Sequence, residues 1–293
     1  MLFGEYSLIC GSMGLVVPFK SVSASWDWIK LNENNADSRK SNAHLFRFLE
    51  FLNQKPTFQK VLQLEQFQQD LEKGLYLKSS ITQGYGIGSS GALVAALFKR
   101  YSQNENSHTI IELRAIFSEM ESYFHGSSSG IDPISCYLGE TVLIDENGDI
   151  SCIENPIPGD ESSIKAYLID TKMPRETAHL MRYFDEQLHQ YRFFKKMQDQ
   201  LIPAVNSAIQ QFSNDETDAF FQSLKTISDF ELTYLEPMVP LVLREFWQAG
   251  LSTENYFMKL CGAGGGGYIL VFAREDSALD EIGNHFEMIN LSE

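Results

Sequence analysis

Residues 84–91 read GYGIGSSG and run without a break into ALVAALFKRYS at 92–102. No other feature constrains the fold as strongly. A glycine-dense loop lets the backbone come close to a neighbour or a ligand. A helix starting from such a loop points its unsatisfied N–H groups, and the positive end of its dipole, back at the loop. Loop plus helix start is therefore an anion site, and phosphate is the usual anion. The GK[ST] ending of a Walker A loop is absent. A tight turn ahead of a small-residue packing helix fits the same residues.

Two further segments carry chemistry. CGAGGGGYILVF at 261–272 sets four consecutive glycines, Gly264 to Gly267, between apolar strand-like stretches. Glycine weakens a strand, so something there must need bare backbone. Either a ligand contact or a bulged loop packed on another element meets that need, and the neighbouring phosphate loop favours the ligand. EMESYFHGSSSGIDP at 119–133 places Glu121 near the end of an expected helix and Asp132 eleven residues later, beyond a flexible loop. Beside a phosphate loop, one carboxylate can hold Mg²⁺ and the other can accept the proton of an attacking hydroxyl. Taken singly, Glu121 also reads as a solvated helix residue and Asp132 as a helix cap.

Hydrophobic periodicity predicts helices over 44–52, 61–74, 92–102, 110–126, most of 183–248 and a terminal helix over 276–289. Strand, turn, strand is predicted for the first 20 residues, and short strands for 25–31 and 76–82. A hairpin about Asn147-Gly148 is predicted over 141–153, then a strand at 166–170 and two strands flanking the glycine run. Aromatics along 183–247 read as helix packing. The Pro/Gly-rich stretch NPIPGDESS marks a boundary near 156–164, giving domains 1–160 and 161–293.

A net charge of −16 over 293 residues argues against a phosphate-backbone partner, so no nucleic acid is expected. Four cysteines, Cys10, Cys136, Cys152 and Cys261, form no CxxC pair and read as reduced thiols of a cytoplasmic protein. No 18-residue apolar run and no leader pattern is present, so no membrane partner is expected.

Taken in order, GEYSLICG at 4–11, the loop at 84–92, HGSSSGID at 125–132, DTKMPRET at 170–177 and the 259–268 segment resemble the GHMP kinase family over nearly the whole chain. Within it, HGSSSGID and TKMPRET are most similar to the HGxPSGxD and TKxPRxT segments of the mevalonate kinases. The resemblance implies an α+β, two-lobed GHMP kinase fold, with a ribosomal protein S5 domain 2-like N-terminal lobe and a ferredoxin-like C-terminal lobe. It implies transfer of the ATP γ-phosphoryl group to the primary hydroxyl of mevalonate, with phosphomevalonate or another small alcohol as the alternative. A catalytically silent nucleotide or metabolite sensor is a further alternative from a different class.

By this resemblance Asp132 is the catalytic aspartate. Ser90 and Glu121 hold Mg²⁺, and Gly86, Gly88, Ser89, Ser90 and Gly91 wrap the ATP triphosphate. Glu5, Tyr6, His125, Ser129, Gly130, Thr171, Gly262, Ala263 and Gly264 lie on the substrate side. A homodimer is a family expectation. The pattern also differs in places. Its opening GEH is Gly4-Glu5-Tyr6 here, its HGxPSG proline is Ser128, and Ile81-Thr82-Gln83 replaces the proline before the phosphate loop. The family lysine five residues before Gly4 would precede Met1, which predicts a native start further upstream. The basic candidates for a phosphorylated substrate are Lys20, Lys172, Arg175 and Lys259.

Overall fold

The computed structural model describes residues 1–293 apart from 20, 21, 31–34, 81–84, 105–107, 127, 158, 160, 161, 175, 176 and 293. In chain order the elements open with β1 (Gly14–Val16), β2 (Ala24–Trp28), α1 (Ala36–Asn53), α2 (Pro56–Val61), α3 (Leu64–Glu72) and β3 (Leu75–Ser79). Next come α4 (Ser89–Tyr101), α5 (Ile110–His125), α6 (Ile131–Leu138), β4 (Thr141–Ile144), β5 (Ile150–Ile153) and β6 (Lys165–Asp170). Helices α7 (Thr177–Leu188), α8 (Tyr191–Lys196), α9 (Ile202–Ser213), α10 (Thr217–Tyr234) and α11 (Arg244–Thr253) follow. β7 (Tyr256–Leu260), β8 (Tyr268–Ala273), the short α12 (Asp280–Gly283) and β9 (Glu287–Asn290) complete the chain.

These elements form two compact units interleaved along the sequence. One comprises residues 20–82 and 88–139; the other comprises 1–19, 83–87 and 140–293. The division into 1–160 and 161–293 stays a proposal about the chain's sequential domains.

In the first unit, β2 and β3 pair antiparallel, with Trp26 opposite Leu77. Helix α1 packs on β3 and α3, and α4 packs on α5 and α6. Local sequence explains the helix starts. Asn35 caps α1 by accepting from the Asp37 and Ser38 amides at 3.0 and 3.3 Å. Thr109 and Glu112 form a reciprocal capping box at the start of α5. Phe48, Phe67, Phe98 and Phe117 fill the core and are fully buried. A polar group sits within it: Asp70 accepts from the Tyr101 hydroxyl at 2.8 Å and from Arg100 at 3.2 Å.

The second unit holds a three-stranded sheet ordered β1-β4-β5 and a four-stranded sheet ordered β7-β8-β6-β9, antiparallel throughout. Strands β7 and β8 are buried at every position and are apolar except for Lys259 in β7. Helices α9 and α10 pack together, and α10 lies against β7. Phe3, Phe212, Phe220 and Phe272 form one aromatic cluster with ring centroids 4.9–6.1 Å apart. The aromatics expected to be helix packing divide: Phe184, Phe193, Phe220, Phe221 and Trp247 are buried, whereas Tyr191 and Phe194 are exposed.

The observed elements differ from expectation at both ends of the chain. Across residues 1–19, Phe3 forms a one-residue antiparallel bridge to Leu15 of the three-residue β1, with a 3₁₀ turn at Leu8–Cys10 between them, in place of two full strands. The expected terminal helix is one short turn, and Glu287–Asn290 pairs with β6 as an edge strand.

Candidate active site

Helix α4 starts from Gly88, whose φ of 76° lies in the left-handed region that glycine enters cheaply. A glycine has no side chain with which to cap the helix. The first-turn amides of Ser89, Ser90 and Gly91 therefore have no side-chain cap from Gly88. Helix α6 starts the same way, from Gly130 at φ 73°, and carries Asp132 in its first turn.

The two helix starts meet at Gly91. A Cβ there would stand 3.0 Å from the Pro133 nitrogen and 3.1 Å from the Asp132 carbonyl carbon, so only glycine fits comfortably. Glu121 approaches from the last turn of α5. Its Oε1 accepts from the Ser90 hydroxyl at 2.7 Å, and its Oε2 accepts from the Ser128 hydroxyl. Burial, and then the nearby Asp132 carboxylate, push Glu121 up to about 7, against the pull of the two hydroxyls. A buried carboxylate held near neutral pH beside a second carboxylate has a use for a cation.

The donor set is hard oxygen, carboxylate plus hydroxyl, which suits Mg²⁺. Among the described residues no group of three or more His, Cys, Asp or Glu side chains could hold a metal alone. A cation on Ser90 and Glu121 would therefore need phosphate oxygens too, which is how Mg²⁺ is commonly bound.

Sequence reasoning missed three residues that build this corner. Ser128 donates to Glu121 and accepts from the Gly130 amide at 3.0 Å, so one hydroxyl fixes both the carboxylate and the turn. Ser118 donates to the Ser128 carbonyl at 2.6 Å, and Arg114 Nε donates to the Ser129 carbonyl at 3.2 Å. The signal was present: 114, 118 and 121 recur at helical spacing on one face of α5.

The other expected residues lie in the second unit. Glu5 Oε2 meets Lys259 Nζ at 2.8 Å, while Glu5 Oε1 is buried without a partner among the described residues. The Tyr6 hydroxyl donates to the Gly262 carbonyl at 2.6 Å. Thr171 donates its hydroxyl and its amide to the Gly267 carbonyl, at 2.7 and 3.1 Å, and the Gly267 amide donates to the Met173 carbonyl at 2.8 Å. Cys261 Sγ reaches the Gly86 carbonyl at 3.4 Å.

Part of the glycine run's bareness is demanded by the protein itself. A Cβ on Gly264 would lie 2.6 Å from the Met238 carbonyl oxygen, and one on Gly267 would lie 2.6 Å from the Tyr85 Cα. Lys172 pairs with Asp170 at 3.3 Å and Glu287 at 2.5 Å. Lys20, Gly84, Arg175 and the 81–83 segment lie outside the described residues, as do the side chains of His125 and Thr177.

Residues 55–140 match the family model described as GHMP kinases N terminal domain. A stretch of 175 residues, 56% of this chain, is 23% identical to the mevalonate kinase of Dictyostelium discoideum and spans 43% of that protein, less than half its length. Solved structures extend the likeness to the whole fold. The L. major mevalonate kinase in complex with R-mevalonate superposes with a TM-score of 0.62 at 18% identity, over 97% of this chain and 87% of that one. The Methanococcus jannaschii mevalonate kinase gives 0.63 at 16%, over 99% and 94%. The Streptococcus pneumoniae phosphomevalonate kinase in complex with phosphomevalonate and AMPPNP gives 0.60 at 13%, over 99% and 96%.

Proposed function

We propose that this chain, whose N-terminal domain and α+β fold are those of the GHMP kinases, transfers the γ-phosphoryl group of ATP to the primary hydroxyl of mevalonate. One observation carries the reading. Ser90 is bonded to Glu121 at the start of α4, and Asp132, in the first turn of α6, packs against the neighbouring Gly91.

The residues divide the work. The amides of Ser89, Ser90 and Gly91 bind phosphate oxygens at the positive end of α4. Gly86 and Gly88 let the loop backbone follow the triphosphate. Ser90 and Glu121 would hold Mg²⁺, and Ser128 keeps the Glu121 carboxylate oriented. When bound, Mg²⁺ neutralises charge on the β- and γ-phosphates. Asp132 orients the acceptor hydroxyl and takes its proton as the new O–P bond forms. Such transfer depends mainly on positioning and electrostatics, which suits a site built from backbone dipoles and fixed carboxylates. On the acceptor side, Glu5, Tyr6, His125, Ser129, Gly130, Thr171, Gly262, Ala263 and Gly264 would contact the substrate.

The HGSSSGID and TKMPRET segments support mevalonate over other alcohols. The likeness to the phosphomevalonate kinase fold keeps a phosphorylated substrate as the second reading. Two of the four basic candidates argue against it, since Lys259 is committed to Glu5 and Lys172 to Asp170 and Glu287.

A coupled ADP-release assay with mevalonate, phosphomevalonate, galactose and homoserine tests the reading. ADP release is expected with mevalonate at least about tenfold above the other three, as a site built around specific polar contacts requires. Faster turnover of phosphomevalonate would install the second reading. ATP binding with no turnover of any alcohol would make the chain a sensor.

Ser128→Ala is expected to raise the Mg²⁺ concentration for half-maximal rate by about 10- to 100-fold, the usual cost of losing a group that orients a metal ligand. A Mg²⁺ titration at fixed ATP measures it.

A further inference from the structure

We propose that Lys259 is a positioning residue for the reaction: its buried ammonium locks the Glu5-Tyr6 segment to the start of the 261–267 glycine run. This rests on the reading above, in which both segments serve the acceptor alcohol.

Lys259 is 2% exposed at the end of β7. Its Nζ donates to Glu5 Oε2 and to the Leu260 carbonyl, each at 2.8 Å, and lies 5.5 Å from the centre of the Phe3 ring. The Leu260 amide donates to Glu231 Oε2 at 2.7 Å. One residue further on, Tyr6 closes a second tie to the Gly262 carbonyl. Two adjacent residues at the start of the chain are thus fastened to two positions more than 250 residues later.

The tie bears on function because the run that follows cannot fix itself. Gly262, Gly264, Gly265 and Gly267 all have left-handed φ, between 58° and 76°, and no side chains to hold them. They are anchored downstream by Thr171 and Met173 and midway by the Met238 carbonyl, which accepts from the Gly265 amide. Upstream, the anchor is the ammonium. Tyr6 itself has φ 66°, a conformation a non-glycine residue keeps only where its surroundings over-determine it.

Hydrogen-bond geometry selects Glu5 as the partner. Two carboxyls face one ammonium. Burial pushes Glu231 up to about 8, against the pull of Lys259 and the Leu260 amide. Desolvation draws the Lys259 pKa down, but Glu5 and then Glu231 outweigh it and leave it above the ordinary lysine value. Glu231 uses its Oε2 for the Leu260 amide, and Glu5 makes the direct bond to the ammonium.

The test uses the full chain with Lys259→Met and, separately, Glu5→Gln, a near-isosteric change that keeps the ammonium should the first variant fail to fold. Hydrogen exchange read by mass spectrometry should show peptides over 255–268 exchanging at least about tenfold faster, with 89–101 unchanged, because one local anchor is lost. The kcat should fall by about 10- to 100-fold with the KM for ATP within about threefold, the pattern of an acceptor held out of line. Unchanged exchange at 255–268 in both variants would overturn the proposal, and so would faster exchange with wild-type kcat. If the wild-type chain turns over no alcohol, the reading of function fails, yet the exchange arm still decides whether Lys259 holds the loop.

Discussion

Asp132→Asn is expected to lower kcat by about 10²- to 10⁴-fold, the range for losing a positioned general base, with the protein folded and its ATP affinity kept. The substitution is nearly isosteric, and the residue sits in the first turn of α6 where its backbone is fixed by Gly130 and the helix. An amide can still orient a hydroxyl but cannot take its proton. Nothing in the α4 phosphate cradle changes, so the loss should fall on kcat and not on the KM for ATP. The substitution also removes the second-largest influence raising Glu121, whose pKa should drop from about 7 while burial still holds it above the ordinary carboxylate value. Steady-state kinetics with a thermal melt separate the effects. A near-native rate would remove Asp132 from the mechanism.

Gly130→Ala should have the largest effect on stability. A Cβ there would stand 2.4 Å from the Arg114 carbonyl oxygen and 2.9 Å from the Ser118 amide nitrogen. Both atoms are α5 backbone, so neither can swing aside. The left-handed φ costs an alanine about 1–2 kcal/mol. Forcing apart two packed helices adds about 1–3 kcal/mol. A loss of about 2–5 kcal/mol, roughly 10 °C in melting temperature, is expected from both together. Gly139→Ala provides the comparison. Its φ is 70°, but nothing lies within 4 Å of its Cβ, so it should cost only the strain, about 1–2 kcal/mol. Equal melting temperatures for the two variants would show that Gly130 is not a packing contact.

The chemistry-bearing segments were legible because their requirements are local. A loop needing left-handed backbone must use glycine, and a helix start that binds anions must follow it directly. Gly88, Ser90, Glu121 and Asp132 could therefore be picked out before any coordinates, although periodicity did not reveal α6, a helix of eight residues with a proline in its first turn.

Non-local requirements were not legible. Residues 287–289 read as helix from their own composition, but their state is set by pairing with β6 more than a hundred residues earlier. In the sequence, Ser128 is only a departure from the HGxPSG pattern. Only the folded arrangement of α5 shows its hydroxyl spanning Glu121 and the Gly130 amide. Lys259 read as a free cation facing a substrate, because sequence spacing does not reveal that Glu5 is its neighbour.

The central claim is that the Ser90, Glu121 and Asp132 corner moves a phosphoryl group onto an alcohol. ATP labelled in its γ-phosphate, incubated with the wild-type chain, Mg²⁺ and mevalonate, tests it most directly. The account predicts label in a phosphate monoester of the alcohol, lost when Asp132 is replaced by Asn. Label found only in ATP and inorganic phosphate would contradict it.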